Sequence, residues 1–277
     1  MPTPQTDSWQ PCSTPSPPDP PRLECSGDHV GGSRQLRGTA ERVLLSAHVS
    51  TSTNHSLFIP KVISKPLKPG HGMKIGIFAG LHGDEEAGTL AVYDLVRWAS
   101  EQPEELHDYE LHFFPMCNPT GCDAGTRHSH CGLDLNREFW VGSSEPEIIY
   151  LEGELRTEIY EGIIQLHSDD TSDGCYGFVS GALLSEHVLK PALNATHDIL
   201  PCNHDTMIDG FPAEMGIIKE GYQGVLCAPP EQRPRPFEVV FETPGLAPLP
   251  QQVLATVTAV KTILAEYRQL QAYAANL

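Results

Sequence analysis

Large apolar residues alternate with small or polar ones from Met73 to Ala79, the pattern of a buried strand. Gly80 then ends the run, and Ala87, Leu90, Ala91, Leu95 and Val96 recur at helical spacing, which predicts a helix over roughly Glu85–Ser100. Tyr109–Cys117 reads as the next strand, so the three elements form a βαβ unit with parallel pairing and a right-handed crossover. Upstream, Glu41–Val49 and Leu57–Ile63 read as short strands joined to the central one by a turn-rich connector at 65–72. Downstream, the pattern predicts a helix over Glu145–Glu158 with Pro146 in its first turn, and strands at Gly162–His167 and Tyr176–Val179. A helix over Leu183–Leu200, a strand at Phe237–Phe241 and a closing helix over Pro250–Ala275 complete the reading. Residues 203–236 read as irregular. Asn118–Trp140 is a polar stretch with little periodicity, longer than most loops of a compact domain and for that reason a place to look for function.

Residues 1–21 carry eight prolines and almost no large aliphatic residues, too little apolar surface to offset the entropy of ordering. The expected organisation is a disordered Pro-rich tail over 1–35 and one α/β domain over 36–277. No stretch has the basic start and apolar core of a secretory signal, and none reaches the ~18 apolar residues of a membrane span, so the expected location is cytoplasmic. The formal charge of −18, from 36 acidic and 18 basic residues, argues against a nucleic-acid or anionic-membrane surface. It leaves room for anionic substrates, which a few well-placed arginines can capture. The eight cysteines form no C-x-x-C pair and read as free buried thiols. A zinc site on Cys117, Cys122 and Cys131 is a minor alternative, because their spacing matches no ribbon or finger pattern.

The junction after Ala79 places its polar residues at the carboxyl end of a strand, where open α/β sheets bind ligands. His82 and Glu85 stand there at i and i+3, half of a metal site. A third ligand from far along the chain is sought at the end of another buried strand, and His167, closing GIIQLH, meets that condition. Two imidazoles and one carboxylate leave a fourth position open, as a catalytic zinc requires. Each piece alone has a blander reading: a chance His-x-x-Glu, or a hydrogen-bonded core histidine. Of the thirteen histidines, His128 and His130 flank the site without strand-end context, and the rest read as structural or exposed. Arg127 and Arg137 stand out in a loop of a chain with few basic residues; guanidinium geometry suits carboxylates and developing oxyanions. Glu242 closes a strand in which four of the five preceding residues, Phe237, Val239, Val240 and Phe241, are apolar, and partial desolvation there raises a carboxylate towards useful proton transfer.

In order along the chain stand HGDE at 82–85, NPTG at 118–121, Arg127, DLNR at 134–137, LHS at 166–168 and ETP at 242–244. On these motifs the chain resembles the zinc carboxypeptidases of the carboxypeptidase A type. It also resembles their relatives that deacylate N-acyl amino acids, succinylglutamate desuccinylase and aspartoacylase. The resemblance implies a three-layer α/β/α fold on a mixed, largely parallel twisted sheet, and one Zn2+ per chain on His82, Glu85 and His167. By position, Arg127 matches the residue that polarises the scissile carbonyl, and Asn136 with Arg137 the pair that grips a substrate carboxylate. Asp134 matches a carboxylate that orients the first histidine, and Glu242 the general base and acid. The mobile tyrosine of the digestive enzymes has no clear match; Tyr222, in GYQG, is the candidate. About thirty residues separate Arg137 from His167, fewer than in those enzymes. The nine-residue step from Arg127 to Asn136, and the lack of the β-domain that follows the catalytic domain in the aspartoacylase branch, tilt the expectation towards a peptidase or amidase.

The expected activity is zinc-dependent hydrolysis of an amide next to a free carboxylate, on a peptide or an N-acyl amino acid. Deacylation of N-acyl amino acids is the alternative within enzymes. A non-catalytic protein that binds metal or peptide is the alternative outside them.

Overall fold

The structure is a computed structural model, and it describes residues 42–50, 56–66, 72–219, 221 and 223–274. The expectation of a disordered tail over 1–35 and the candidate Tyr222 lie outside the described residues. Chain order is β1 (Arg42–Ser50), β2 (Ser56–Ser64), β3 (Met73–Ala79), α1 (Glu86–Glu101), β4 (Tyr109–Phe114), α2 (Pro119–Ala124), α3 (Pro146–Glu158), β5 (Gly162–Asp169) and β6 (Tyr176–Val179). There follow α4 (Ala182–Leu184), α5 (Lys190–Thr196), β7 (Met207–Ile208), β8 (Phe211–Glu214), β9 (Ile217–Ile218), β10 (Phe237–Pro244) and α6 (Leu249–Ala274).

Among the described residues the strands form one mixed sheet in the order β1-β2-β4-β3-β5-β10-β6-β9-β8-β7. Its centre, β4-β3-β5-β10, is parallel, and the β1-β2, β2-β4 and β10-β6 pairs are antiparallel. The centre is buried on both faces, so its strands read as nearly continuous apolar runs. On one face Ile75, Ile77, Leu111, Phe113, Ile164, Leu166, Val239 and Phe241 pack under α1, α5 and α6. On the other face Phe78, Phe114 and Ile163 pack under Ile148, Leu151 and Leu155 of α3, with Phe78 stacked on Phe114 at 4.5 Å. Strands with period two and helices on both sides produce the expected three layers.

Several elements differ from expectation for local reasons. The strand at Tyr109 stops at Phe114 because Pro115 has no N–H to continue the ladder. The helix expected over Leu183–Leu200 has a π turn at Ser185–Leu189 between α4 and α5, and α5 ends at Thr196. Pro191 cannot donate to the carbonyl four residues back, and the turn before it widens. Residues 203–236 are not wholly irregular: they supply β7, β8 and β9, which extend the sheet beyond β6. The final strand runs to Pro244, three residues further than its apolar run, because β5 pairs with it through Asp169. The cysteines with described surroundings are free, but only Cys117 and Cys175 are buried; Cys122, Cys202 and Cys227 are half-buried and Cys131 is exposed.

Candidate metal centre

The turn after β3 is set by two glycines. Gly80 has φ +63°, a left-handed conformation that ends the strand without a Cβ penalty. A Cβ on Gly83 would overlap the backbone of Gly121, so the HGDE turn can lie against α2 only with glycine there. Asn118 holds the two together. Its side chain accepts from Gly121 N at 2.9 Å and caps α2, while its Nδ2 donates to the carbonyls of Leu81 at 3.2 Å and Arg127 at 3.4 Å. The long polar stretch 118–140 thus contains a capped helix and a short 3-10 turn at Leu135–Arg137, structure that its lack of periodicity concealed.

His82 and Glu85 sit on this turn and His167 at the end of β5; all three are buried. Nδ1 of His82 lies 2.5 Å from Glu85 Oε1, and Nδ1 of His167 lies 2.9 Å from Glu85 Oε2. The two Nδ1 atoms face each other at 3.2 Å. Two imidazole lone pairs and a carboxylate converging on one point require a positive centre, a proton or a metal ion. The set is two nitrogens and one carboxylate oxygen, the donors that suit a catalytic divalent ion. Asp134 accepts from Nε2 of His82 at 3.1 Å, which directs the His82 Nδ1 lone pair inward. Burial alone would lower the pKa of His82, but the bonds to Asp134 and Glu85 outweigh it and raise it. Burial would raise Glu85, yet the two histidines hold it at about 2, so the carboxylate stays charged. For His167, burial dominates and lowers the pKa.

Glu110, His112 and Glu158 form a second group close enough to hold a metal. There Lys61 and Lys74 already sit on Glu158, both at 2.8 Å, and Tyr160 and Glu110 take the two nitrogens of His112. That group is a neutralised ion-pair network. Cys117, Cys122 and Cys131 do not form a metal group among the described residues.

Beside the first site opens a cavity of about 470 Å³, lined among others by His82, Glu85, Arg127, Asn136, Arg137 and Glu242. Glu242 is the register partner of His167 on the adjacent strand. Its pKa is raised well above the usual carboxylate value, first by burial and then by the charges of Glu85, Asp169 and Asp209. Arg127 donates to Asp134 Oδ2 from Nε at 3.3 Å and from Nη2 at 3.2 Å, and reaches Glu85 Oε1 at 3.4 Å. Arg137 Nη1 donates to the Asn136 carbonyl at 2.7 Å. Asn136 is buried; its Oδ1 accepts from Leu226 N at 2.9 Å and its Nδ2 lies 3.4 Å from His167 Nε2. The amide therefore braces a metal-site histidine as well as lining the cavity. His128 and His130 are exposed and do not line it.

Sequence reasoning missed Tyr176, whose hydroxyl donates to Asp169 at 3.0 Å and Asp209 at 3.4 Å on the cavity wall, and Gln165, also a lining residue. Asp209 sits at φ +52° in a tight turn between β7 and β8 that apolar periodicity cannot register.

Residues 71–189 match the family model of the succinylglutamate desuccinylase/aspartoacylase catalytic domain. No curated protein matches the chain in sequence. Among solved structures, a candidate metallopeptidase from Shewanella amazonensis SB2B is similar at TM-score 0.66 and 24% identity, over 80% of this chain and 86% of that one. A metallo-carboxypeptidase from Burkholderia cenocepacia is similar at TM-score 0.60 and 16% identity, over 84% and 66%. A succinylglutamate desuccinylase from Silicibacter sp. TM1040 is similar at TM-score 0.57 and 17% identity, over 82% and 66%. At these identities the structures speak for the fold, and the family model for residues 71–189. No helix among the described residues is long and apolar enough to cross a membrane.

Proposed function

We propose that the chain is a zinc hydrolase of the carboxypeptidase superfamily, near the succinylglutamate desuccinylase and aspartoacylase relatives whose catalytic-domain model matches residues 71–189, and that it hydrolyses an amide bond next to a free carboxylate. The observation that carries this reading is the convergence of His82 Nδ1, His167 Nδ1 and the Glu85 carboxylate beside a cavity that His82, Glu85, Glu242, Arg127 and Arg137 line. The substrate is a small peptide or an N-acyl amino acid, not a nucleic acid or a membrane. The catalytic domain is 36–277. The free thiols fit a reducing compartment, and we place the protein in the cytoplasm.

His82, Glu85 and His167 hold the ion, which is zinc on the chemistry of the donors. When bound, zinc supplies a Lewis acid for the scissile carbonyl and lowers the pKa of a coordinated water towards ~7. The protein's residues do the remaining work. Glu242, with its raised pKa, takes a proton from the attacking water and returns it to the leaving amine. Arg127 sets its guanidinium by the oxygen that becomes negative. Arg137, with Asn136 behind it, holds the substrate carboxylate and so places the amide against Glu242.

Glu242→Gln tests this assignment. The variant should keep its metal and lose about 10²–10⁴-fold in turnover. Substantial residual activity would remove Glu242 from the base role. Removal of a C-terminal residue is the first reading. The family-model match favours a second, removal of a short acyl group from an amino acid. Assaying for a released amino acid against a released short acid separates them.

A further inference from the structure

Cys175 leads into β6, and its backbone forms an isolated parallel bridge with Cys202, in the segment between α5 and β7. Two hydrogen bonds make the bridge. Cys175 N donates to the Pro201 carbonyl at 2.7 Å, and Asn203 N donates to the Cys175 carbonyl at 2.9 Å. Register partners on neighbouring strands stand about 4.8 Å apart and send their side chains to the same face. The packing agrees: Cys175 is buried in the apolar cluster under α5 and α6, and Cys202 packs against that same cluster. The two thiols are neighbours on one face, twenty-seven positions apart in sequence.

A disulfide needs Cα atoms about 4.4–6.8 Å apart and Cβ atoms on one side, and the bridge supplies both. Neither thiol has a strong partner to lose. Cys202 Sγ donates to the Met215 carbonyl at 3.3 Å and the Asn203 carbonyl at 3.5 Å, weak bonds that rotation about Cα–Cβ gives up. The Cys175 thiol meets the side chain of Thr196. Cys202 is half-buried and open to a reagent, whereas Cys175 is buried with Cys202 beside it.

We propose that Cys175 and Cys202 form a reversible disulfide, a modification site whose co-reactant is a small disulfide such as oxidised glutathione. The Cys202 thiolate attacks one sulfur of the reagent; a mixed disulfide forms, the reagent's S–S bond breaks, and one thiol leaves. The Cys175 thiolate then attacks Cys202 Sγ, the Cys175–Cys202 bond forms, and the second thiol leaves. The two protons and two electrons lost by the protein end on the two released thiols. In a reducing compartment such a bond is transient rather than structural. Burial raises the Cys202 thiol and, with a smaller effect from the Cys202 charge, pushes Cys175 up to about 12, so exchange quickens as pH rises. Tyr176, the next residue, faces the other way and lines the cavity, where its hydroxyl bonds Asp209. The disulfide ties the strand that carries Tyr176 to the segment leading to Asp209, behind the cavity wall.

Reduced full-length protein is incubated with oxidised glutathione at about pH 8.5, where more of each thiol is ionised, then alkylated under denaturing conditions and mapped by peptide mass. Cys175 and Cys202 should be lost to alkylation together, appear as one linked peptide pair, and both return on adding dithiothreitol. Cys131, exposed on its loop, reports by its own mixed disulfide that the reagent has acted. The linked protein should melt about 5–10 °C above the reduced one, because the bond closes a long segment of the unfolded chain. Cys202→Ser should keep Cys175 alkylatable throughout, and Cys175→Ala should leave Cys202 as the glutathione mixed disulfide. The wild-type map requires no variant to fold. Cys175 still fully alkylatable after Cys131 has reacted would overturn the proposal. So would Cys202 linked to another cysteine, or a linked form that melts no higher than the reduced one.

Discussion

Asp134 Oδ1 lies 3.1 Å from His82 Nε2, and this contact decides which nitrogen of His82 faces the rest of the site. With Nε2 engaged as a donor, Nδ1 keeps its lone pair for the point where His167 Nδ1 and Glu85 converge. The same carboxylate caps the turn carrying Asn136, through Asn136 N at 2.9 Å, and receives Arg127. His82 and Arg127 hold it charged, well below the usual carboxylate range, against a burial effect of opposite sign. Removing that charge weakens the imidazole as a ligand. Asp134→Asn should raise the metal dissociation constant about 10–100-fold. Competition with a chromophoric chelator measures this, and unchanged affinity would separate Asp134 from the metal site.

The fully buried Asn118 side chain bonds Gly121 N, the Leu81 carbonyl and the Arg127 carbonyl, and also accepts from Thr120 Oγ1 at 3.2 Å. It joins the turn of His82 to the loop of Arg127. Asn118→Ala should destabilise the protein by about 2–4 kcal/mol, from a lost cap and unpaired buried groups. Denaturant unfolding reads this directly; a loss under about 0.5 kcal/mol would mean the two segments hold together without it.

Glu158 gives a pH dependence. Burial would raise its pKa, but Lys61 and Lys74 dominate and bring it from 4.5 to about 2. A carboxylate depressed by folding contributes stability that is present above its unfolded pKa and is lost as pH falls through the folded one. Wild type should therefore lose this contribution progressively between about pH 5 and pH 2. Glu158→Gln should cost about 1–3 kcal/mol at pH 7, with the gap to wild type closing over that interval. Urea unfolding at pH 7, 4 and 3 checks it, and a gap that does not change with pH would mean the ion pairs contribute nothing net.

The central strands and the closing helix were legible because their residues repeat with the period of the element that buries them. Met73–Ala79 is buried on both faces from Ile75 onward, Phe237–Phe241 is buried on one face with Glu238 and Val240 half-buried on the other, and the chemistry stands where those runs end. His82, Glu85, His167 and Glu242 could be picked out for that reason. The short strands β7 to β9 could not be read, because two to four residues joined by left-handed turns at Asp209 and Met215 carry no period. Helix α2 was hidden because Asn118 and its fit against Gly83 hold it, rather than an apolar stripe. Asn136 and Gln165 act through contacts with Leu226, ninety and sixty-one residues away, which local pattern does not encode. Gln165 passed as one polar residue in an apolar strand.

On the proposed function, His82, Glu85 and His167 hold one catalytic zinc ion. Elemental analysis of the purified, zinc-reconstituted protein tests it most directly, with His82→Ala and His167→Ala measured alongside and their folding checked by circular dichroism. The prediction is about one zinc per chain in wild type and near none in either folded variant. No zinc in reconstituted wild type, or full zinc in both folded variants, would contradict it.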